Sequence, residues 1–309
     1  MLRYIIKRIL LLIPVLIGVT LITFTLLYIT PGDPARALLG PSANTEQVEQ
    51  LREEMGLNDP YIVRYGNFLS NLVLHQDMGR SYRAKQPVFS VIMSAFPATL
   101  KLAALAVAIA VVIGIPLGII SAVKQYSVFD NVALILGLIG ISMPVFWLGM
   151  LLILQFAARL HWFPSAGFST FKHMVLPAVA LSAQSIAVIM RMTRSSMLEV
   201  IRQDYIRTAR AKGQTEAKVI VRHALRNALM PIITTVGLQF GALLGGAVLT
   251  EAVFSIPGVG RLMVDSIKMK DFPVVQGGVL FIAVAFSLVN LIVDLLYASV
   301  NPKIRSQYR

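Results

Sequence analysis

The side chains in this chain best placed to do chemistry sit between Arg191 and Asn227, a basic segment with apolar sequence on both sides. Its centre reads Asp204, Tyr205, Ile206, Arg207, Thr208, Ala209, Arg210, Ala211, Lys212, Gly213. A carboxylate, a phenol and three cations along about two helical turns suit electrostatic docking, not bond-making. Asp204 is placed to cap the helix start, and Gly213 stands where a helix stop turns left-handed. Tyr205, Thr208, Ala209 and Lys212 fall on one face, where the small Thr208 and Ala209 would let another surface come close. A second helix is expected from Thr215, running through Val219, Ile220, His223, Leu225 and Leu229 into Pro231.

Catalytic groupings are missing elsewhere. There is no H-E-x-x-H and no G-x-S-x-G, and His173 and His223 have no evident nucleophile beside them, which argues against an intramembrane protease or similar enzyme. Without cysteine there can be neither a disulfide nor a thiolate metal site. No G-x-x-x-x-G-K-[ST] loop is present to hold ATP, and the spans lack the several embedded carboxylates of a proton or sodium relay. If the chain serves active transport, its energy would have to come from a partner. A passive channel is the other reading, in which the basic loop merely sets topology.

The elements that position this loop follow from composition. Hydrophobic residues make up 56% of 309 and charged ones 14%, against about 25% charged in a soluble domain. Most of the chain therefore faces lipid or other apolar helices, in an all-α polytopic membrane fold. Six spans are expected: Ile9 to Thr30, Leu102 to Val123, Asn131 to Ala158 with a kink at Pro144, Met174 to Met190, Asn227 to Thr250, and Phe272 to Val293. The first apolar run is too long, and lacks the small-residue site, for a cleavable signal. Pro31-Gly32-Asp33-Pro34 ends the first span. Residues 31–96 form a polar region with helices over Thr45 to Met55, capped by Thr45, and over Tyr61 to Leu74. Trp147 lies deep enough to pack between helices, and Lys101 marks a span edge. Asp294 near the last span's inner end has Arg or Lys partners available at its depth. Gly237, Gly241 and Gly245 align on one face of the fifth span, suited to a close crossing with a helix of a neighbouring subunit; packing within the chain is the alternative.

The net charge of +13 does not indicate nucleic acid, because the basic residues flank apolar spans and no aromatic-interleaved basic platform is present. With the N-terminus inside, the inner segments carry sixteen basic residues and the short outer loops five. The positive-inside rule then puts both termini and the Asp204 to Gly213 helix in the cytoplasm.

At these residues the chain resembles the membrane subunits of ATP-binding-cassette importers, whose cytoplasmic loop reads E-A-A-x-x-x-G and, ten residues on, I-x-L-P. Gly213, Ala209 and Leu225 match; Thr208 replaces the first alanine, Arg207 the glutamate, His223 the isoleucine and Arg226 the proline. Residues 192–200, 204–213 and 223–228 are closer to the first permease subunit of peptide, glutathione and nickel importers. So are Pro31 to Pro34, Pro97 to Leu100, Met143 to Trp147, Pro257 to Arg261, Pro273 to Gln276 and Asn301-Pro302.

The resemblance implies a type I importer permease fold with a division into 1–30, an external region 31–96, a core 97–300 and a cytoplasmic tail 301–309. It implies two cytoplasmic ATPases gripping the Tyr205 to Lys212 helix, with Arg207, Arg210 and Lys212 orienting it and Ala209 and Ala211 permitting close approach. It also implies an extracytoplasmic solute-binding protein docking on 31–96 and a second homologous permease, expected as a heterodimer, in a bacterial inner membrane. The chain itself would hold no cofactor, catalytic residue or metal; ATP and Mg would bind the ATPases. Dipeptides or oligopeptides, glutathione among them, are the expected solute, and nickel or a nickel chelate the alternative.

Overall fold

The computed structural model describes residues 2–40 and 42–300; the basic tail from Asn301 to Arg309 lies outside them. Among these residues the regular secondary structure is all helical, apart from one isolated antiparallel bridge between Arg80 and Pro87. Five helices are long and apolar enough to cross a membrane, and a bent pair raises the number to six. Leu10, Ile22, Ile29, Leu136 and Leu138 stay exposed on their outer faces, as a bilayer requires and water would not tolerate.

The first span is α1 (Leu2–Ile29), and the Pro31 to Pro34 turn ends it as expected. Asp33 then caps α2 (Pro34–Leu39) by accepting from Ala35 N at 3.0 Å. The next helix, α3 (Thr45–Glu54), is capped by Asn44 and not by Thr45: Asn44 Oδ1 accepts from Gln47 N and Gln47 Oε1 from Asn44 N. The reciprocal pair satisfies two helix-end donors, which a Thr45 cap, with Val48 at its third helical position, could not do. Helix α4 (Tyr61–Leu74) lies along α1, where Tyr61 meets Thr25 at 2.7 Å, Tyr65 meets Thr20 at 3.1 Å, and both rings pack on Phe24.

Helix α5 (Val88–Val123) extends 14 residues before the expected start; at 1.5 Å per residue it is about 54 Å long and must project beyond a core of about 30 Å. The third span is broken, not kinked. Helix α6 (Val128–Ser142) and α7 (Val145–Leu152, continuing as a wide turn to Arg159) meet at 101°. Pro144 forces Met143 into an extended conformation and has no N–H to continue the ladder. Trp147, expected between helices, is 44% exposed on α7. Its position just past the break turns it outward.

Helix α8 (Phe171–Ile201) outruns the expected fourth span into the basic segment, and its crossing with α5 forms the core. Ala103, Ala106 and Val107 meet Leu176, Ala178 and Leu181 there. Gly118 makes the tightest approach: a Cβ at that position would lie 2.6 Å from Met190 O and from Thr193 Cβ. Because backbone cannot yield as a side-chain tip does, Gly118→Ala should cost about 1–3 kcal/mol. Gly18→Ala on α1, where nothing lies within 4 Å, should stay within about 0.5 kcal/mol. Thermal unfolding in detergent compares the two.

After α8 come α9 (Asp204–Ala211), α10 (Glu216–Lys218) and α11 (Arg226–Gly246), the last two joined by a wide helical segment, Val219–Leu225. Then follow α12 (Val248–Val253), α13 (Val259–Lys268) and α14 (Phe272–Val300). Arg8 Nη2 lies 3.0 Å from Asp294 Oδ2, joining α1 to α14 and giving Asp294 the basic partner expected of it. The stripe of Gly237, Gly241 and Gly245 is filled from within this chain, correcting the expected crossing with a neighbouring permease. Val293 presses on Gly237, while Cβ atoms at Gly241 and Gly245 would lie 3.1 Å from Phe286 and 3.4 Å from Ile282. All three partners are on α14, whose side chains occupy the space the missing Cβ atoms leave.

Candidate functional site

Helix α9 hangs on the elbow between two spans. Its chain enters from α8 and leaves through Gly213, whose φ of +75° is the left-handed stop the sequence pointed to. Gln203, not Asp204, is the N-cap; Asp204 is the first helical residue, and its carboxylate favours the positive end of the helix dipole. Ile206 is fully buried and Ala209 nearly so, packed with Met197, Val219, Ile220, Ala224 and Ala228. The helix is thus rooted at once on the end of α8 and the beginning of the α10–α11 rod.

This rooting turns α9 about a quarter turn away from the expected presentation, at 100° per residue. Ala209 faces its own chain and cannot be the residue that admits a partner; its small size serves the packing on Val219 and Ile220. The outward face carries Asp204, Arg207, Thr208 and Ala211, all exposed, with Tyr205 and Lys212 exposed beside it. Arg207 lies 3.6 Å from Asp204. Arg210 is held by both oxygens of Glu216, at 2.7 and 3.3 Å, which ties the end of α9 to the start of α10. Arg207 and Lys212 therefore supply the outward positive charge.

Two polar clusters escaped the sequence reading. At one end of α5, Asp130 on α6 receives Arg194 of α8 in a two-pronged ion pair, both contacts at 2.7 Å. Ser121 Oγ and Tyr126 N, at 2.9 Å, also donate to it. At the other end, Glu251 on α12 is fully buried: Thr99 Oγ1 of α5 donates to Oε1 at 2.6 Å and Arg261 N to Oε2 at 3.1 Å. The carboxylate thus caps α13 from outside that helix, whose own N-cap is Gly258. A Cβ at Gly258 would collide with it, and one at Gly260 would lie 2.9 Å from Oε2. Burial pushes the Glu251 carboxyl above its ordinary range, against the pull of Thr99 and the Arg261 and Gly260 amides. The signal for this second cluster was the Pro257 to Arg261 turn lying shortly after an acid in an apolar stretch.

Apolar spans around a small-residue core, with a two-turn polar helix hung between two of them, define a multi-pass membrane protein of the transport-permease class. The chain belongs to the family described as the inner membrane component of binding-protein-dependent transport systems, whose model matches residues 114–306. A model for the N-terminal part of such membrane components matches residues 1–103. The dipeptide transport system permease protein DppB of Alkalihalophilus pseudofirmus is 44% identical, over 99% of this chain and 100% of its own. DppB of Escherichia coli K12 is also 44% identical, over 99% of each chain. The glutathione transport system permease protein GsiC of the same strain shares 44% identity over 99% of each. Among solved structures, an inward-facing MetNI methionine ABC transporter matches with a TM-score of 0.60 at 20% identity, over 68% of this chain and 96% of that one. The fold is that of ABC importer permeases.

Proposed function

We propose that this chain is one of two permease subunits of an ATP-driven importer, and that it conducts short peptides delivered by a solute-binding protein. The observation that carries the reading is α9, whose apolar side is rooted on two spans while its polar face stands free. A push on Arg207, Thr208 or Ala211 is delivered to α8 and α11 together. Two cytoplasmic ATPases closing on ATP and Mg would draw a pair of such helices together and rock the permeases outward; hydrolysis would reset them. The chain itself carries force and no catalysis, and needs no cofactor. The basic-residue asymmetry supports an orientation in a bacterial inner membrane with both termini and 191–227 in the cytoplasm and 31–96 outside.

The solute rests on kinship: the relatives at 44% identity are named for dipeptides and glutathione, which favours peptides over nickel. Proteoliposomes holding the chain with its second permease, ATPases and binding protein should accumulate a labelled dipeptide only with internal ATP and Mg. The chain alone should conduct nothing. Flux through the chain alone would establish the channel reading, and accumulation of a nickel chelate without peptide would replace the solute.

A further inference from the structure

A cavity of about 310 Å³ opens where the outer part of α1, α4, the turn before α4, the segment 77–82 and the start of α14 converge. It is a built space. Asp271, buried at the start of α14, accepts from Ser81 Oγ at 2.5 Å and Tyr82 N at 2.9 Å, fixing one wall to another. Phe24, Phe68 and Phe272 supply an aromatic lining.

Within it stands Arg64, half-buried on α4. Its guanidinium lies 5.5 Å over the Tyr28 ring and donates to Leu57 O at 3.4 Å, a long contact. Among the described residues no carboxylate oxygen is within ion-pair distance of it. The neighbouring cavity of about 490 Å³ shares Arg64, but its other cation, Arg52, is already held by Asp33 at 3.1 Å. A half-buried guanidinium stacked on an aromatic ring and lacking an anion is poised for a carboxylate, which it grips through two parallel N–H donors. The remaining lining suits what a carboxylate would bring with it: Asn71 and Gln276 present amides, Asp59 a carboxylate, and the phenylalanines an apolar bed. A volume near 300 Å³ is at the small end of ligand sites and admits a molecule of dipeptide size.

We infer that this cavity is a peptide site separate from any binding protein, in which Arg64 holds the C-terminal carboxylate of a short zwitterionic peptide, Asp59 meets its ammonium and the aromatic bed takes a side chain. The inference rests on the peptide-importer reading. Its place on region 31–96 would raise the local concentration of solute at the outer end of the bundle.

The test uses the assembled transporter in nanodiscs without binding protein, titrated with fluorescent alanyl-phenylalanine and with the same probe amidated at its C-terminus. The free-acid probe should bind saturably, and Arg64→Ala should weaken it by about tenfold or more. Amidation should cause the same loss in the parent and little further loss in Arg64→Ala; Arg64→Lys should fall between. An unchanged thermal midpoint for Arg64→Ala excludes misfolding. Equal binding of both probes, or indifference to Arg64→Ala, overturns the site. So does a variant that binds peptide normally but loses affinity for the binding protein, since Arg64 would then serve an acidic residue of that partner. ATP-dependent uptake is measured separately, on the same transporter in proteoliposomes with binding protein: its absence in the parent would fault the importer reading, whereas normal uptake beside failed binding faults only this site.

Discussion

An Ala211→Trp chain is expected to insert and fold like the parent yet lose about tenfold or more of its ATP-driven uptake, while ATP hydrolysis by the assembled complex continues. Ala211 is exposed and points away from the Ile206 and Ala209 anchor, so the indole is not driven into that packing. In a partner groove shaped for a small residue it would hold the helix off by several ångströms, and losing about 1.4 kcal/mol of contact is already a tenfold effect. Ala209→Trp is the informative contrast. It drives an indole into the cluster of Met197, Val219 and Ile220, so it should lower the thermal midpoint and strip α9 from its seat. Transport at the parent rate by Ala211→Trp would remove α9 from the mechanism.

Asp130→Ala should destabilise the fold by about 3–5 kcal/mol, the usual cost of breaking one side of a buried ion pair. The Asp130 side chain is 1% exposed and that of Arg194 18%, so the guanidinium is left with little water to replace its partner. Tyr126 N and Ser121 Oγ lose their acceptor as well, and with them the turn that joins α5 to α6. Joint replacement by Asp130→Leu and Arg194→Met should recover most of the loss, because apolar residues of similar volume can replace a buried pair at little net cost. Membrane yield and thermal unfolding in detergent, compared across parent, single and double variants, measure the difference. A single variant as stable as the parent would mean that the pair holds nothing together.

Much of this molecule was legible along the chain. Long uncharged runs dictated spanning helices because a buried backbone must satisfy its own hydrogen bonds in lipid, and Pro31, Pro144 and Gly213 marked real ends and breaks through their fixed or permissive φ. The existence of α9 and its charges followed from Asp204 to Gly213. Asp294 was correctly given a basic partner, although Arg8 lies 286 positions away.

What the sequence alone determined was therefore local: which segments are helical, how apolar each is, where a proline or glycine interrupts, and on which side the positive charge accumulates. Only the tertiary structure decided which way each helix faces and what fills the gaps between them. Periodicity places Thr208, Ala209 and Ala211 around one axis but leaves that axis free to rotate. Burying Ile206 against Val219 and Ile220 fixed it, and sent Ala209 inward and Ala211 out. A glycine stripe likewise states that something comes close without naming the visitor, which turned out to be α14. Asp130 with Arg194, and Glu251 with Thr99, are separated by 64 and 152 positions, so no spacing rule relates them. They meet because packed helices bring distant residues to the same depth, and a buried charge or carboxyl is tolerated only where its partners already wait.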